Sequence, residues 1–276
     1  MIDRLLFLLT LKPIIYGFIG MVISGLSFPL AGVIIVRNGL IPMRYMLMHG
    51  VILGGIFSIA LNLPLVPVVM LLNLILVTAM VLLNRSHTSL SAASTAMMVF
   101  TMGLASLLGQ VFDVPAKDTL EILWGSPFAL VKSDLFILVA LALTVTAYVV
   151  ICFKPISMLF FDHDIARSSG VNVGFHNTLM LLMTALIISV AMKLLGALLI
   201  DALVVLPVLG ASKNVKSLKS MFVRSSMTGL ILSVLGYLTA LVTNLPVSGV
   251  LAILAAGAYL INLAIAKSKA GKRSRK

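Results

Sequence analysis

One carboxylate stands where membrane chemistry makes it expensive. Asp201 lies inside the apolar run Leu194-Leu-Gly-Ala-Leu-Leu-Ile-Asp-Ala-Leu-Val-Val-Leu-Pro207. An aspartate at the centre of a membrane helix costs about 2.5–3.5 kcal/mol on insertion scales, so it must face a cavity or a partner. Pro207 follows one and a half turns later; it has no N–H to donate and loosens a carbonyl oxygen nearby. A carboxylate beside such a carbonyl can stop a cation. The competing reading is structural, with Asp201 paired to a lysine such as Lys193 or hydrogen-bonded to a neighbouring helix.

His49 is the second candidate, in Pro42-Met-Arg-Tyr-Met-Leu-Met-His-Gly-Val. Imidazole ligates zinc, iron and manganese, and Tyr45 sits one helical turn earlier on the same side. Met43, Met46 and Met48 add thioethers, but sixteen methionines in so apolar a chain need no special explanation, and these three read as facing lipid. Gly50, Gly54 and Gly55 would let a second helix approach closely. The alternative for His49 is a boundary histidine bonded to backbone. His87 and His176 read as structural or solvated. Asp162-His163-Asp164 resembles a metal cluster, but neighbours on a helix point apart, so a capped helix start is the better reading.

The elements that hold these residues follow from composition. Of 276 residues, 61% are hydrophobic and 10% charged, whereas a soluble domain carries about a quarter charged. The solvent for this much apolar surface is lipid, and lipid admits only helices or closed barrels. The apolar runs approach the ~20 residues a helix needs to cross the hydrocarbon, and they lack a barrel's alternation. The expected fold is an all-α, polytopic membrane helical bundle formed as one transmembrane domain over 1–276. Its spans fall near 13–36, 45–61, 64–83, 91–111, 134–153, 174–192, 194–211, 222–243 and 246–266, giving nine, or eight if the first is discounted. Asn62-Leu-Pro64 and Asn244-Leu-Pro246 mark turns between spans, and Pro29 interrupts the first.

Charge sets the orientation. With the C-terminus in the cytoplasm, alternation puts fifteen of the twenty basic residues inside and five outside, the bias expected of a plasma-membrane protein. The basic tail, 266–276, then meets the cytoplasmic face and anionic lipid. The net charge of +12 is therefore positional and does not point to nucleic acid. No cleavage site follows the N-terminal apolar stretch, so no removable signal peptide is expected. The lone Cys152 excludes an internal disulfide. There is no phosphate-binding Gly-x-x-x-x-Gly-Lys loop, no Gly-x-Ser-x-Gly elbow and no His-Glu-x-x-His pair. Transport, not catalysis, is the default for sparse polar groups among many spans.

Four stretches, in order, resemble the integral-membrane subunits of the ABC-3 family, the zinc, manganese and iron importers. Val36-Arg-Asn-Gly39 through His49-Gly-Val is similar to that family's basic loop leading to Asp-Ala-Leu-Ser-His-Ala-Val. Leu123-Trp-Gly-Ser126 resembles its Leu-Phe-Gly-Ser. Phe161-Asp-His-Asp-Ile-Ala-Arg-Ser-Ser-Gly-Val171 resembles its Phe-Asp-Pro-Glu-Phe-Ala-Arg-Ala-Leu-Gly, and Gly196-Ala-Leu-Leu-Ile-Asp-Ala-Leu-Val-Val-Leu-Pro207 its Gly-x-Leu-Leu-x-x-Ala-Leu-Leu-x-x-Pro. The resemblance implies a type II importer-like permease homodimer that moves a divalent metal ion inward and binds no resident cofactor. It also implies cytoplasmic ABC ATPase subunits that hydrolyse the ATP and an extracytoplasmic metal-binding protein. Ser212, Lys213, Asn214, Val215, Lys216, Ser217, Leu218 and Lys219 would couple to the ATPase, supported by 161–171. Two departures matter: Tyr45 stands where the family has Asp, and Asp201 where it has a small or apolar residue. The resulting hypothesis is that the carboxylate has moved, so that His49, Tyr45 and Asp201 line the cation route. Rival readings are an ABC permease for a chelated metal or other small solute, and a stand-alone secondary transporter using Asp201 as its ion site.

Overall fold

The computed structural model describes residues 10–84, 89–115, 117–118, 125–212 and 215–273. Apart from a short 3₁₀ turn at Pro127–Ala129, its regular elements are helices: α1 Lys12–Arg37, α2 Ile41–Leu61, α3 Leu65–Asn84, α4 Leu90–Val111, α5 Lys132–Ile151, α6 Phe153–Phe161, α7 His163–Ser168, α8 Val173–Leu195, α9 Ala197–Ser212, α10 Leu218–Thr243 and α11 Val247–Arg273. Eight of them (α1 to α5, α8, α10 and α11) are long and apolar enough to cross a membrane. The remaining expected span is α9, whose 197–212 is shorter. It also starts later than the apolar run suggests, because Gly196 turns the backbone to φ 96° and leaves Leu194 and Leu195 at the end of α8.

The turns between spans have a shared chemistry. Asn62, Asp113 and Asn244 each adopt positive φ (53°, 52° and 57°) just past a helix end. In each case the next residue's N–H reaches back five positions: Leu63 to Ser58, Val114 to Gly109, Leu245 to Ala240. These are the bonds that satisfy orphan carbonyls at a left-handed helix ending, where Asn and Asp are tolerated. A proline follows two residues later every time, at Pro64, Pro115 and Pro246, and forbids the helix from continuing.

The chain forms two compact units. The first comprises Met1–Val33, Ser126–Thr146 and Leu198–Lys276, and the second Ile34–Gly125 and Ala147–Ala197.

The first unit packs α9 on α10 and α11. Small residues bring α1 onto the same scaffold. A Cβ on Gly25 would run into Ser233 and the Gly229 carbonyl of α10, and one on Gly32 would run into the Val204 carbonyl of α9. Tyr237 is fully buried, donates its hydroxyl to the Ile14 carbonyl at 2.7 Å, and lies between the Phe18 and Phe128 rings. A phenol buried in lipid-depth structure needs such a partner, and this one fastens α10 to the start of α1.

The second unit packs α2 against α4, α3 and α8, with α3 also touching α8. Leu53, Ile56 and Ala105 form a core between α2 and α4. The polar centre is Asn73 of α3, with no exposed surface. Its Nδ2 donates to Ser189 Oγ of α8 at 2.8 Å and to the Leu47 carbonyl of α2 at 3.3 Å. Gly50 leaves the space that Asn73 fills. One amide thus ties three helices. Because interhelical hydrogen bonds in membranes contribute about 0.6–1.7 kcal/mol, Asn73→Leu is expected to lower the melting temperature of the detergent-solubilised protein by about 2–5 °C.

Candidate functional site

Asp201 opens a π-helical turn, Asp201–Val205, inside α9. The cause lies two residues beyond. Pro207 cannot donate to the Leu203 carbonyl and its ring would press on that turn, so the helix widens before it. Pro207 is therefore accommodated by a local rewinding that ends in the αR geometry of Leu206. Ala202, Leu203 and Val204 are buried, whereas Asp201 is half-buried. Lys193, the suggested partner, belongs to α8, and its side chain lies outside the described residues.

The break that creates this half-helix is held by two glycines within the second unit. A Cβ on Gly125 would collide with the backbone nitrogen and Cα of Gly196. Both residues have positive φ, 45° and 96°, so glycine is needed at each for conformation as well as space. Two of the sequence motifs meet here backbone to backbone, although Leu123 and Trp124 lie outside the described residues.

Tyr45 and His49 lie on α2 in the second unit, one turn apart. Tyr45 is 41% exposed and His49 half-buried, so this face of α2 is open. Met43 and Met46 are fully buried and serve the core instead of facing lipid as expected, because they lie on the side of α2 turned away from the Tyr45 face. The structure thus brings Tyr45 and His49 together, while Asp201 belongs to the other unit. Among the described residues, no three His, Cys, Asp or Glu side chains converge.

One residue missed as a site member is Arg44. Charge counting placed it in a loop, but α2 begins at Ile41 with Pro42 in its first turn, which brings Arg44 into the helix. Its side chain is only 4% exposed, and its Cζ lies 4.3 Å from the centre of the Tyr45 ring. That is a cation–π contact in a desolvated setting. Helix-start geometry in the residue pattern, with Pro42 at an early helical position, was the available signal.

The remaining candidates resolve more plainly. Asp162 caps α7 by accepting from the N–H groups of Asp164 and Ile165 at 2.7 and 2.9 Å. His163 faces Asn177, with 3.5 Å between ring and amide nitrogens. His176 is half-buried against Phe175, and its carbonyl accepts from the Tyr148 hydroxyl at 3.4 Å. His87 lies outside the described residues. Arg37 donates to the Phe160 carbonyl at 3.3 Å and lies over its ring, so the end of α1 and the end of α6 are joined. Of the basic segment, Lys213 and Asn214 lie outside the described residues; Ser212 ends α9, and Lys216 and Lys219 are exposed. Ser217 caps α10 by accepting from the Ser220 N–H, leaving Val215 and Leu218 half-buried beside it.

Comparison with known proteins agrees with this architecture. The model of the ABC 3 transport family matches residues 11–266. The manganese import system permease protein ScaB of Streptococcus parasanguinis is 26% identical over 238 residues, covering 85% of this chain and 84% of its own. The high-affinity zinc uptake system membrane protein ZnuB of Buchnera aphidicola subsp. Baizongia pistaciae is 23% identical over 242 residues, covering 86% and 92%. Among solved structures, PsaBC from Streptococcus pneumoniae in complex with Fab superposes with a TM-score of 0.80 at 25% identity, covering 95% of both chains. With eight membrane-length helices, a broken ninth and a family match along nearly its whole length, this chain is a multi-pass membrane permease of the ABC 3 transport family.

Proposed function

We propose that this chain is the membrane-spanning subunit of an ABC importer that passes a divalent transition-metal ion, zinc, manganese or iron, into the cytoplasm. The observation that carries the reading is the carboxylate of Asp201 on a broken, π-wound, proline-limited half-helix. Discontinuous membrane helices with freed backbone carbonyls are where transporters place ions, and the manganese and zinc in the names of the related permeases support that cargo. The metal is cargo, and the chain holds no resident cofactor. ATP is bound and hydrolysed by separate cytoplasmic subunits that dock on Ser212 to Lys219, steadied by 161–171. Two copies of the chain form the permease, an extracytoplasmic protein delivers the metal, and the C-terminus faces the cytoplasm in the plasma membrane.

The test is ATP hydrolysis by the permease reconstituted with its ATPase and binding protein, titrated with zinc, manganese and iron in turn. Stimulation by one of them is the expected result, with His49→Ala raising the half-maximal concentration by at least about tenfold, as loss of a ligand or of its orienting partner does. No response to any of the three metals by an assembled complex would overturn the reading.

A further inference from the structure

Beyond Asp201 the chain carries charge of one sign. Residues 202–276 contain ten of the twenty lysines and arginines and no Asp or Glu. Nine of the ten stand in the 213–219 segment or in the tail, where they read as ordinary flanking charge. Arg224 differs, because it lies within α10 and lines a cleft in the first unit. Gly210 at the end of α9 forms one wall, α10 a second, and Asn262 of α11 the third. A Cβ on Gly210 would lie 3.6 Å from Asn262 Nδ2, so α9 and α11 meet at this point. Asn262 precedes by two residues the end of the membrane-length stretch of α11 at Ala264, which puts the cleft at the hydrocarbon boundary.

The lining combines two kinds of chemistry. Arg224 is exposed, Thr228 follows it one turn along α10, and the Asn262 amide stands across from them. Beside this polar set, Val223, Met227 and Ile231 recur every fourth residue and are 52%, 48% and 57% exposed. They make an apolar rail about 12 Å long that runs from the guanidinium toward the middle of the helix. A guanidinium grips phosphate oxygens with a planar fork of five N–H donors, so a contact within the protein leaves others for a ligand. The cleft holds about 270 Å³, less than the ~300–1,000 Å³ of pockets that enclose a drug-sized molecule. That is room for a headgroup, with the acyl chains left outside in the bilayer.

We infer that this cleft binds an anionic phospholipid, with Arg224 on the phosphate, Thr228 and Asn262 bonding headgroup oxygens, and one acyl chain along Val223, Met227 and Ile231. Basic pockets between membrane helices recognise anionic headgroups in this way. The lipid belongs to the leaflet that the 212–219 segment faces, which is the cytoplasmic one under the importer reading. Only the name of the leaflet is taken from that reading. Because α9 also carries the π turn opened by Asp201, an occupied cleft braces the half-helix that bears the carboxylate.

Native mass spectrometry of the full chain in an uncharged detergent tests this, counting bound lipids as dioleoyl phosphatidylglycerol or dioleoyl phosphatidylcholine is added. The wild type is expected to hold its first phosphatidylglycerol about tenfold more tightly than phosphatidylcholine, the difference one charge-assisted pair supplies. Arg224→Gln is expected to abolish that preference. Asn262→Leu leaves the guanidinium in place and is expected to weaken phosphatidylglycerol about threefold, as loss of one neutral hydrogen bond does. Changing Lys216 and Lys219 together to glutamine, outside the cleft, is expected to leave the preference intact. Melting temperatures without lipid show which variants fold, and Asn262→Leu decides the matter if Arg224→Gln does not. Equal affinity for the two lipids, or a preference that survives Arg224→Gln in folded protein, would overturn the inference. A preference lost equally in the lysine variant would overturn it in favour of diffuse surface charge. Displacement by an equal concentration of glycerophosphoglycerol, the same headgroup without acyl chains, would overturn it in favour of a soluble phosphate compound. Binding to the monomer but not to the dimer would assign the cleft to a second copy of the chain. Metal-stimulated ATP hydrolysis by the complete transporter is a separate measurement, so failure here leaves the importer reading standing.

Discussion

Replacing Asp201 with asparagine is expected to raise the metal concentration for half-maximal ATP hydrolysis by about 10- to 100-fold, the range seen when a metal site loses a ligand or the group that orients it. The substitution keeps the shape, removes the negative charge and exchanges one acceptor oxygen for an NH2 donor. The carboxylate is half-buried in the π turn of α9 and is costly to place in a membrane, so its retention needs an electrostatic return. A cation supplies one. If the charge acts on cargo, the half-maximal concentration rises while the maximal rate at saturating metal changes little. If Asp201 only holds α9 to its neighbours, both binding protein-stimulated and basal hydrolysis fall and the metal dependence of the remainder is unchanged. Asp201→Glu separates the cases again, because it restores charge at slightly altered reach and recovers part of the affinity only under the first. An unchanged titration curve for Asp201→Asn would remove this residue from the pathway.

The spans were legible in the sequence because lipid imposes a length, and residues such as Leu65 to Leu83 or Lys132 to Ile151 meet it with little interruption. The turns were legible where Asn precedes an apolar residue and proline, since left-handed backbone and a missing donor both stop a helix. The third instance, Asp113-Val-Pro115, carries Asp where the other two turns carry Asn, so the shared Asn-Leu-Pro pattern does not reveal it. The boundary of α9 was misplaced because hydrophobicity cannot see a glycine at φ 96°: Leu194 and Leu195 are as apolar as Leu198 and Leu199 that follow. Asp201 stood out from its surroundings, and the π turn around it did not, because rewinding depends on how Pro207 relieves its clash. Arg44 was counted as a loop charge although Pro42 signalled a helix start. Asn73 gave no signal, for its partner Ser189 lies 116 residues away and nothing in an apolar run marks which polar residue turns inward.

The same close packing predicts an unusually severe effect from a single methyl group. A Cβ added at Gly32 would strike the Val204 carbonyl oxygen and lie 2.8 Å from its carbon and 2.9 Å from a methyl of Val208. Two of these atoms are backbone, and that backbone belongs to the π turn, so no rotamer change makes room. Overpacking a core typically costs about 1–3 kcal/mol when side chains can shift, and more when they cannot. Gly32→Ala is therefore expected to lower the melting temperature of the purified protein by about 6 °C or more, and Gly32→Leu to prevent recovery of folded, monodisperse protein. Gly103 of α4 is the control, since a Cβ there meets nothing within 4 Å, and Gly103→Leu is expected to stay within about 0.5 kcal/mol of the wild type in stability. The consequence reaches function through one contact. Val204 lies within the turn that Asp201 opens, so the α1 backbone at Gly32 sets how that turn is wound and hence where the carboxylate sits. Gly32→Ala that folds, even poorly, is expected to show a raised half-maximal metal concentration beside its lowered melting temperature. A variant with reduced stability and an unaltered metal titration would mean that the π turn tolerates displacement without moving the site.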